Sequence, residues 1–417
     1  MRATDVERYV HVASTAVFAV FFLNGFNFAS FASRLPAVRD ALAMSPAQLG
    51  LLLLVASIGS LSALPLSGLV VQRLGARRTI VFFATLNVTG LLLASTGVAL
   101  GWLSLVVPAM IMFGIGTGVW DAAMNIEGAA VEQRLGRAIM PRFHAGFSFG
   151  TMAGAGLGAV AAWLHAPVLV HLAVVLTLSL TGVLVAARYL LPEGTHDAVD
   201  HEPNAAAPEP GASPRRAVNA WREPRTLLIG LVVLAAALTE GAANDWVSLA
   251  VVDGFGTSHA MGAVGFGVFV TAMTGMRLLG TALLDRWGRV RVLRLSAGLS
   301  LAGLLVFALV GPLWLALIGV VAWGMGAALG FPVGMSAASD DPTRAAPRVA
   351  VVATIGYSAF LAGPPLLGML AEVTSYRSAL LAITVPVVIG LFVLRAAEPL
   401  PTAAGARPRE ERTSLGA

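Results

Sequence analysis

The feature that most constrains this chain is a series of about twelve apolar runs, each long enough to cross a lipid bilayer. A hydrocarbon core of about 30 Å needs about 20 residues of α-helix, at ~1.5 Å per residue. The runs lie at approximately 14–33, 47–71, 79–97, 102–126, 143–164, 167–190, 225–249, 260–284, 292–310, 312–337, 347–371 and 376–396. They predict an all-α membrane protein with twelve transmembrane helices, here called spans 1 to 12.

Composition excludes the main alternatives. Only 12% of the residues are charged and 57% are hydrophobic, whereas a soluble domain carries about 25% charge. With no Cys, the chain has no disulfide scaffold and no thiolate metal site. A net charge of +5 on so apolar a chain points to a lipid bilayer as partner and not to nucleic acid. No cofactor and no metal are expected.

The distribution of arginine predicts the orientation in the membrane. All 27 basic residues are Arg, and 23 of them fall on one side if the amino terminus is inside, against three in the opposite loops. Positive charge accumulates on the cytoplasmic side of membrane proteins. We therefore expect a multi-pass protein of a bacterial plasma (inner) membrane with both termini in the cytoplasm and with the first apolar run retained as a helix.

The chain divides into two similar halves. Residues 191–224 are rich in Pro, Ala and charge and predict a cytoplasmic linker between six-helix bundles at 1–190 and 225–397, with a disordered cytoplasmic tail at 398–417. The segment from Gly68 to Arg78 returns in altered form at 285–291, about half the chain later. A duplicated six-helix unit predicts two pseudo-symmetric bundles, the architecture of many transporters.

These two loop segments resemble the loop signature of the major facilitator superfamily, a Gly followed by Asp-Arg, Gly and basic residues after spans 2 and 8. The resemblance implies transport by alternating access, with these loops closing the cytoplasmic side. Gln72 stands where the family has Asp, and Ala76 where it has a basic residue, so the second loop is expected to contribute more to gating. The implied gating residues are Arg73, Gly75, Arg77, Asp285, Arg286, Gly288 and Arg289.

A narrower resemblance lies in span 4. The acid-x-x-x-Asn segment from Asp121 to Asn125, together with the run 142–148, is similar to the fucose–proton symporter-like branch and its uncharacterised bacterial inner-membrane relatives. The resemblance implies that the acid belongs to the proton and sugar pathway. From physics alone, a carboxylate within a span costs ~2.5–3.5 kcal/mol and marks a polar cavity or a partner. The structural alternative is a static pair with Arg142.

Span 7 offers a second polar pair, Glu240 and Asn244, one helical turn apart on one face. We expect Glu240 to bind substrate or a proton, with a structural ion pair as the alternative. Asp245 is expected at the membrane interface. Arg277 in span 8 is expected to brace Asp285 or a helix end.

Asn24 and Asn27 share a face of span 1 near aromatic side chains. Amides beside aromatic rings suit a hydroxylated solute, and hydrogen bonding between helices is the equal alternative. His144 at the start of span 5 is expected to be solvated.

Two further patterns are set aside. Ser148 stands in a G-x-S-x-G match, but it lies in an apolar helical run instead of the strand–turn–helix that a nucleophile needs. The His and acidic residues of 196–202 lie in the linker and predict a solvated, adventitious metal cluster.

The sequence thus predicts a secondary active transporter and not an enzyme. We expect a monomer working by proton-coupled symport of a sugar or small polar solute, with small-molecule substrate and proton as its partners. The alternative is proton-coupled efflux of drugs or metabolites. A non-transporting sensor and a membrane protease are the remaining hypotheses.

Overall fold

A computed structural model describes residues 3–136, 139–192, 219–341 and 344–400. Within these ranges the chain is helical, and twelve of its helices are long and apolar enough to cross a membrane, as predicted. The spans are Tyr9–Ala32, Pro46–Leu74, Ala76–Leu100, Leu103–Leu135, Met140–Trp163, Val168–Tyr189, Pro224–Phe255, His259–Trp287, Arg289–Leu309, Leu313–Ala338, Ala345–Val373 and Tyr376–Ala397. Most of the predicted linker and tail, including the cluster at 196–202, lies outside the described residues.

Several helices extend beyond the apolar runs that predicted them. Span 4 continues to Leu135, past Glu132 and Arg134, and ends where Gly136 adopts a left-handed φ of 62°. Charged residues that leave the hydrocarbon still satisfy their backbone by staying helical. Glu132 accepts the backbone N–H groups of Ile139 and Met140 at 2.6 Å each, and so joins span 4 to the start of span 5.

The two halves pack their helices in the same pattern. In the first half, span 1 packs on span 5, and spans 2 and 3 both pack on span 4. In the second half, the equivalent pairs are span 7 on span 11, and spans 8 and 9 on span 10. Between the halves, span 2 packs on span 11 and span 5 on span 8. The predicted pseudo-symmetric duplication is thus present in the helix packing.

Close helix crossings rely on glycine. A Cβ added to Gly319 of span 10 would lie 2.7 Å from both the Gly303 carbonyl oxygen and the Phe307 nitrogen of span 9. By contrast, a Cβ on Gly298 of span 9 would meet nothing within 4 Å. Small residues let membrane helices approach backbone to backbone, and spans 9 and 10 use Gly319 in this way.

The two ends of the bundle differ. We call the end where Leu191 and Asn219 flank the linker the linker end, and the opposite end the far end. At the far end, a short helix, Leu35–Ala41, follows span 1. Its Arg39 forms an ion pair with Asp253 of span 7, and its Asp40 contacts His259 of span 8 at 2.8 Å.

Backbone contacts reinforce the far end. Glu372 of span 11 accepts the Ala47 N–H at the start of span 2 at 3.2 Å. Nearby, a Cβ on Gly368 would lie 3.3 Å from the Gly50 Cα. The halves are therefore clasped together at the far end by charge, hydrogen bonding and close backbone packing.

Span 10 is interrupted. Its helical segments are Leu313–Ala327 and Gly330–Ala338, with Ala328 and Leu329 between them. Pro332 has no N–H, and its ring clashes with the carbonyl four residues earlier, which is that of Ala328. Pro332 thus accounts for the interruption and leaves the Ala328 carbonyl without its helical donor.

Candidate functional site

Asp121 lies near the middle of the 33-residue helix of span 4, yet its side chain is exposed. It interacts electrostatically with Tyr357 of span 11, in the opposite half. An exposed carboxylate that faces the other half lies between the halves and not against lipid. Because the far end is clasped, solvent reaches Asp121 from the linker end.

No ion pair or hydrogen bond forms at the Asp121 carboxylate among the described residues. The proposed static pair with Arg142 is absent, and Arg142 is itself exposed. An uncompensated carboxylate at mid-span is costly, so the exposure of Asp121 to solvent is what makes it tolerable there. We call the space between the halves that Asp121 faces the cavity.

Asn125 is half-buried one turn further along span 4. Its Nδ2 donates to the backbone oxygen of Asp121 at 2.8 Å, and so does not touch the carboxylate. The amide therefore fixes its own rotamer on the helix, while its Oδ1 makes no protein hydrogen bond among the described residues. A solute in the cavity would find this acceptor already oriented.

Aromatic rings lie opposite Asp121. Tyr357 packs against Phe331 of span 10 and Phe360 of span 11, with ring centroids 5.9 and 6.4 Å away. This aromatic wall and the carboxylate belong to different halves. Rings present apolar faces to a solute, while the acid and the phenol offer hydrogen bonds.

Glu240 forms an ion pair with Arg277 and lies near the middle of span 7. Arg277 Nη2 lies 3.0 Å from both carboxylate oxygens. Of the two expectations for Arg277, the structure shows the helix end and not Asp285: the side chain contacts the Ala328 carbonyl at the end of the helix Leu313–Ala327 and also meets Glu240 near the middle of the bundle. The structural alternative for Glu240 is realised in this arrangement, with Arg277 30% exposed and Glu240 19% exposed.

Arg277 serves a second group. Its Nε donates to the Ala328 carbonyl at 3.4 Å, the carbonyl that Pro332 deprives of its helical donor. One guanidinium thus joins span 7 to the interruption of span 10. His144 of span 5 is exposed, as predicted, and interacts electrostatically with Arg277 across the two halves.

Asn244 and Asp245 are both half-buried in span 7. No hydrogen bond or ion pair engages either side chain among the described residues. Trp246 beside it is 1% exposed and packs on Tyr376, the first residue of span 12 at the far end, and the interfacial placement of Asp245 stays a prediction. Asp245 is a second carboxylate without a cationic partner.

Asn24 and Asn27 lie inside the first half and not on the cavity. They are 4% and 0% exposed. Asn27 Nδ2 donates to Asn87 Oδ1 of span 3 at 3.2 Å, and Asn87 donates to Thr117 of span 4 at 2.9 Å. Asn27 thus takes part in hydrogen bonding between helices, which was the alternative interpretation, while the Asn24 Nδ2 has no partner.

The two predicted gating loops have matching backbones. Gly75 and Gly288 end spans 2 and 8 with φ of 80° and 75°, and their N–H groups donate to Val71 and Leu284. Such positive φ values favour glycine at both positions. Arg73, Arg77, Asp285 and Arg286 are exposed at the linker end.

Arg289 instead binds within its own half. It donates to both carboxylate oxygens of Asp340 at 2.9 Å, and Asp340 also accepts from Arg225 at 2.8 Å. The guanidinium therefore ties the start of span 9 to the ends of spans 7 and 10.

Sequence reasoning missed Tyr357, Asn87 and the Arg39–Asp253 pair. Tyr357 gave no signal because an aromatic residue in an apolar run is ordinary. Arg39 and Asp253 are 214 residues apart, and nothing in either local sequence links them.

Ser148 is 3% exposed within the span 5 helix, so the helical context expected for it is confirmed.

Comparisons with known proteins agree with this architecture. The family model described as Major Facilitator Superfamily matches residues 17–359 and 230–416. An uncharacterised transporter, y4wD of Sinorhizobium fredii, is 33% identical over 387 residues, which cover 89% of this chain and 97% of the relative.

Two solved structures share the fold. The nucleoside transporter NupG superposes with a TM-score of 0.73 at 16% identity, covering 93% of this chain and 100% of its own. The E. coli fucose:proton symporter FucP superposes with a TM-score of 0.60 at 13% identity, covering 93% of this chain and 98% of its own.

Proposed function

The chain belongs to the major facilitator superfamily, and we propose that it is a proton-coupled symporter of a small polar solute that works by alternating access. The observation that carries the proposal is Asp121: a mid-span carboxylate that is open to solvent, faces the other half and has no cationic partner in the described part of the chain. Such a group can gain and lose a proton as its access to water changes.

The proposed cycle uses the asymmetry between the two ends. With the far end clasped, Asp121 is reached from the linker end, which the arginine distribution assigns to the cytoplasm. Loss of the proton to that side and release of the solute belong to this arrangement. Opening the far end then requires breaking the Arg39–Asp253 pair, after which Asp121 takes a proton from outside.

The proposed substrate is a sugar or nucleoside. The aromatic wall of Phe331, Tyr357 and Phe360 suits a ring face, and the carboxylate and amides suit hydroxyl groups. Of the two structures that share the fold, NupG is a nucleoside transporter and FucP a fucose:proton symporter, which supports the same solute class. Asn125, Asn244 and Glu240 complete the proposed site, and Asn24 and Asn27 would join it only through a rearrangement of the first half.

The remaining parts of the proposal concern the setting. We place the protein as a monomer in a bacterial inner membrane with cytoplasmic termini. The residues that we assign to closing the cytoplasmic side are Arg73, Gly75, Arg77, Asp285, Arg286, Gly288 and Arg289. The exposure of Asp285 and Arg286 here is consistent with that side being open.

The test is uptake of labelled fucose, xylose and uridine into proteoliposomes under an imposed proton gradient. We expect the wild type to concentrate at least one probe above its outside level, and Asp121→Asn to equilibrate that probe without concentrating it. Glu398→Gln, which alters a carboxylate at the linker end beyond span 12, serves as the matched control. Accumulation by Asp121→Asn equal to that of wild type would refute the role of Asp121, and proton-driven extrusion of the probes would favour efflux.

A further inference from the structure

We propose that the far end of the first half binds a small inorganic anion of the chloride type, held between Arg34, His171 and the start of span 6. This site lies apart from the cavity around Asp121, and the inference does not depend on which solute is transported.

Arg34 is a buried cation without a counter-charge. It lies between span 1 and the short helix Leu35–Ala41 and is 4% exposed. Its Nη2 donates to the Ala166 carbonyl at 2.7 Å, but its Nε and Nη1 are buried and have no partner in the ranges that the structure describes. Burial lowers the pKa of Arg34, yet a guanidinium keeps its charge at neutral pH. No carboxylate pairs with it among the described residues, and a buried charge requires compensation.

His171 lies beside this cation. It is 6% exposed in the first turns of span 6, and neither ring nitrogen has a partner. The ring interacts electrostatically with Arg34. Even a neutral imidazole carries one N–H donor, so the two side chains leave at least three buried donors unused.

The start of span 6 adds to the positive potential. Ala166, whose carbonyl Arg34 holds, directly precedes Pro167, the residue that caps the helix Val168–Ala186 without a side-chain hydrogen bond. The N–H groups of a first helical turn have no partner within the helix and favour an anion. Together with Arg34 and one N–H of His171, they form a site in which the free groups are mostly donors, since the Ala166 carbonyl is already occupied by Arg34.

The surroundings select a small ligand. A Cβ on Gly158 of span 5 would collide with Ser33 and come within 3.9 Å of the His171 ring, so the wall is close-packed. Burial of both Arg34 and His171 leaves no opening for the glycerol backbone that would accompany a lipid phosphate. The nearest acid along the chain, Asp40, is engaged by Arg39 and His259.

The position suggests what the anion does. Arg34 comes five residues before Arg39, which clasps the two halves, and the Ala166 loop joins spans 5 and 6. An anion at Arg34 would hold the start of the short helix against the loop between spans 5 and 6 and so favour the closed far end.

The test is thermal unfolding of the purified full-length protein in sodium chloride and in sodium gluconate at equal ionic strength. We expect chloride to raise the wild-type midpoint by about 2 °C or more, saturably, since a ligand of the native state stabilises it. Arg34→Gln and His171→Gln should lose most of this shift. Arg377→Gln should keep it, because Arg377, at the same end, donates to the carbonyls of Gly254, Phe307 and Val310.

A second measurement avoids dependence on variants that fold poorly. Crystals of the wild type grown in sodium bromide should show an anomalous peak between the Arg34 guanidinium and the His171 ring. Equal midpoints in chloride and gluconate for the wild type, or water without anomalous signal at this position, would overturn the proposal.

Discussion

Replacing Asp253 by Asn should open the far end, because this removes the charge that Arg39 binds across the two halves. Burial alone would lower the pKa of Arg39, but the hydrogen bonds that Arg39 donates to Asp253, Tyr376 and Asp40 raise it overall. Arg39 therefore stays charged throughout the accessible pH range, and the variant leaves a cation facing a neutral amide.

The size of the effect follows from exposure. The Arg39 side chain is 12% exposed and that of Asp253 39% exposed. Exposed pairs contribute about 0.2–1 kcal/mol and hydrogen bonds to charged groups about 1.5–3 kcal/mol. Since Asp253 is more than a third exposed, we expect the variant to destabilise the closed far end by about 1–2 kcal/mol relative to the open one. This corresponds to a rise of about 5- to 30-fold in the far-end-open population.

The assay exploits the absence of cysteine from the sequence. Ala155 of span 5 is 0% exposed and lies 3.7 Å from the position a Cβ on Gly267 of span 8 would take. In an Ala155→Cys background, the rate of labelling by a membrane-impermeant maleimide added from outside should report how often the halves part. Asp253→Asn should raise this rate about 5- to 30-fold, in proportion to the open population.

Arg377→Gln is the control for this assay, because Arg377 contacts only the second half among the described residues. An Arg39→Gln, Asp253→Asn double variant should label about as fast as either single variant. Labelling that is unchanged in Asp253→Asn would refute the view that this pair holds the far end closed.

Two further predictions concern stability. The hydrogen bond from Arg348 lowers the pKa of Glu223 below the ordinary value of a glutamate, 4.5. The stabilisation is therefore complete above the ordinary pKa and is lost as pH falls through the lowered pKa. Glu223→Gln should therefore flatten the acid limb of the thermal stability curve, and an unchanged limb would contradict this. Gly319→Ala should destabilise the fold by about 1–3 kcal/mol in denaturant unfolding. The control Gly298→Ala in span 9 should be neutral or slightly stabilising. Equal effects of the two substitutions would contradict the close backbone contact between spans 9 and 10.

The sequence predicted the helices well because membrane insertion leaves few choices. Lipid forces every backbone polar group into a helix or a closed barrel, so the length of an apolar run nearly determines the element. Helix ends were less predictable: span 4 reaches Leu135, since polar residues beyond the hydrocarbon remain helical without any apolar signal.

The site was harder to predict because it depends on partners distant in sequence. Asp121 and Glu240 stood out as charges inside spans, but the ion pair of Glu240 with Arg277 and the burial of Asn27 follow from tertiary packing alone. Arg277 illustrates the difficulty. Its position in span 8 indicated contact with Asp285 or a helix end, whereas its long side chain also extends toward the middle of the bundle and reaches Glu240.

The shared guanidinium of Arg277 has a mechanical consequence. Pro332 weakens span 10 at Ala328, and the only side chain seen to bridge that weak point among the described residues belongs to Arg277, whose other contact is the charge of Glu240. One side chain therefore supports the interruption of span 10 and neutralises an acid on span 7. Any substitution that moves Arg277 would change both at once, so the shape of span 10 and the charge of span 7 are mechanically linked.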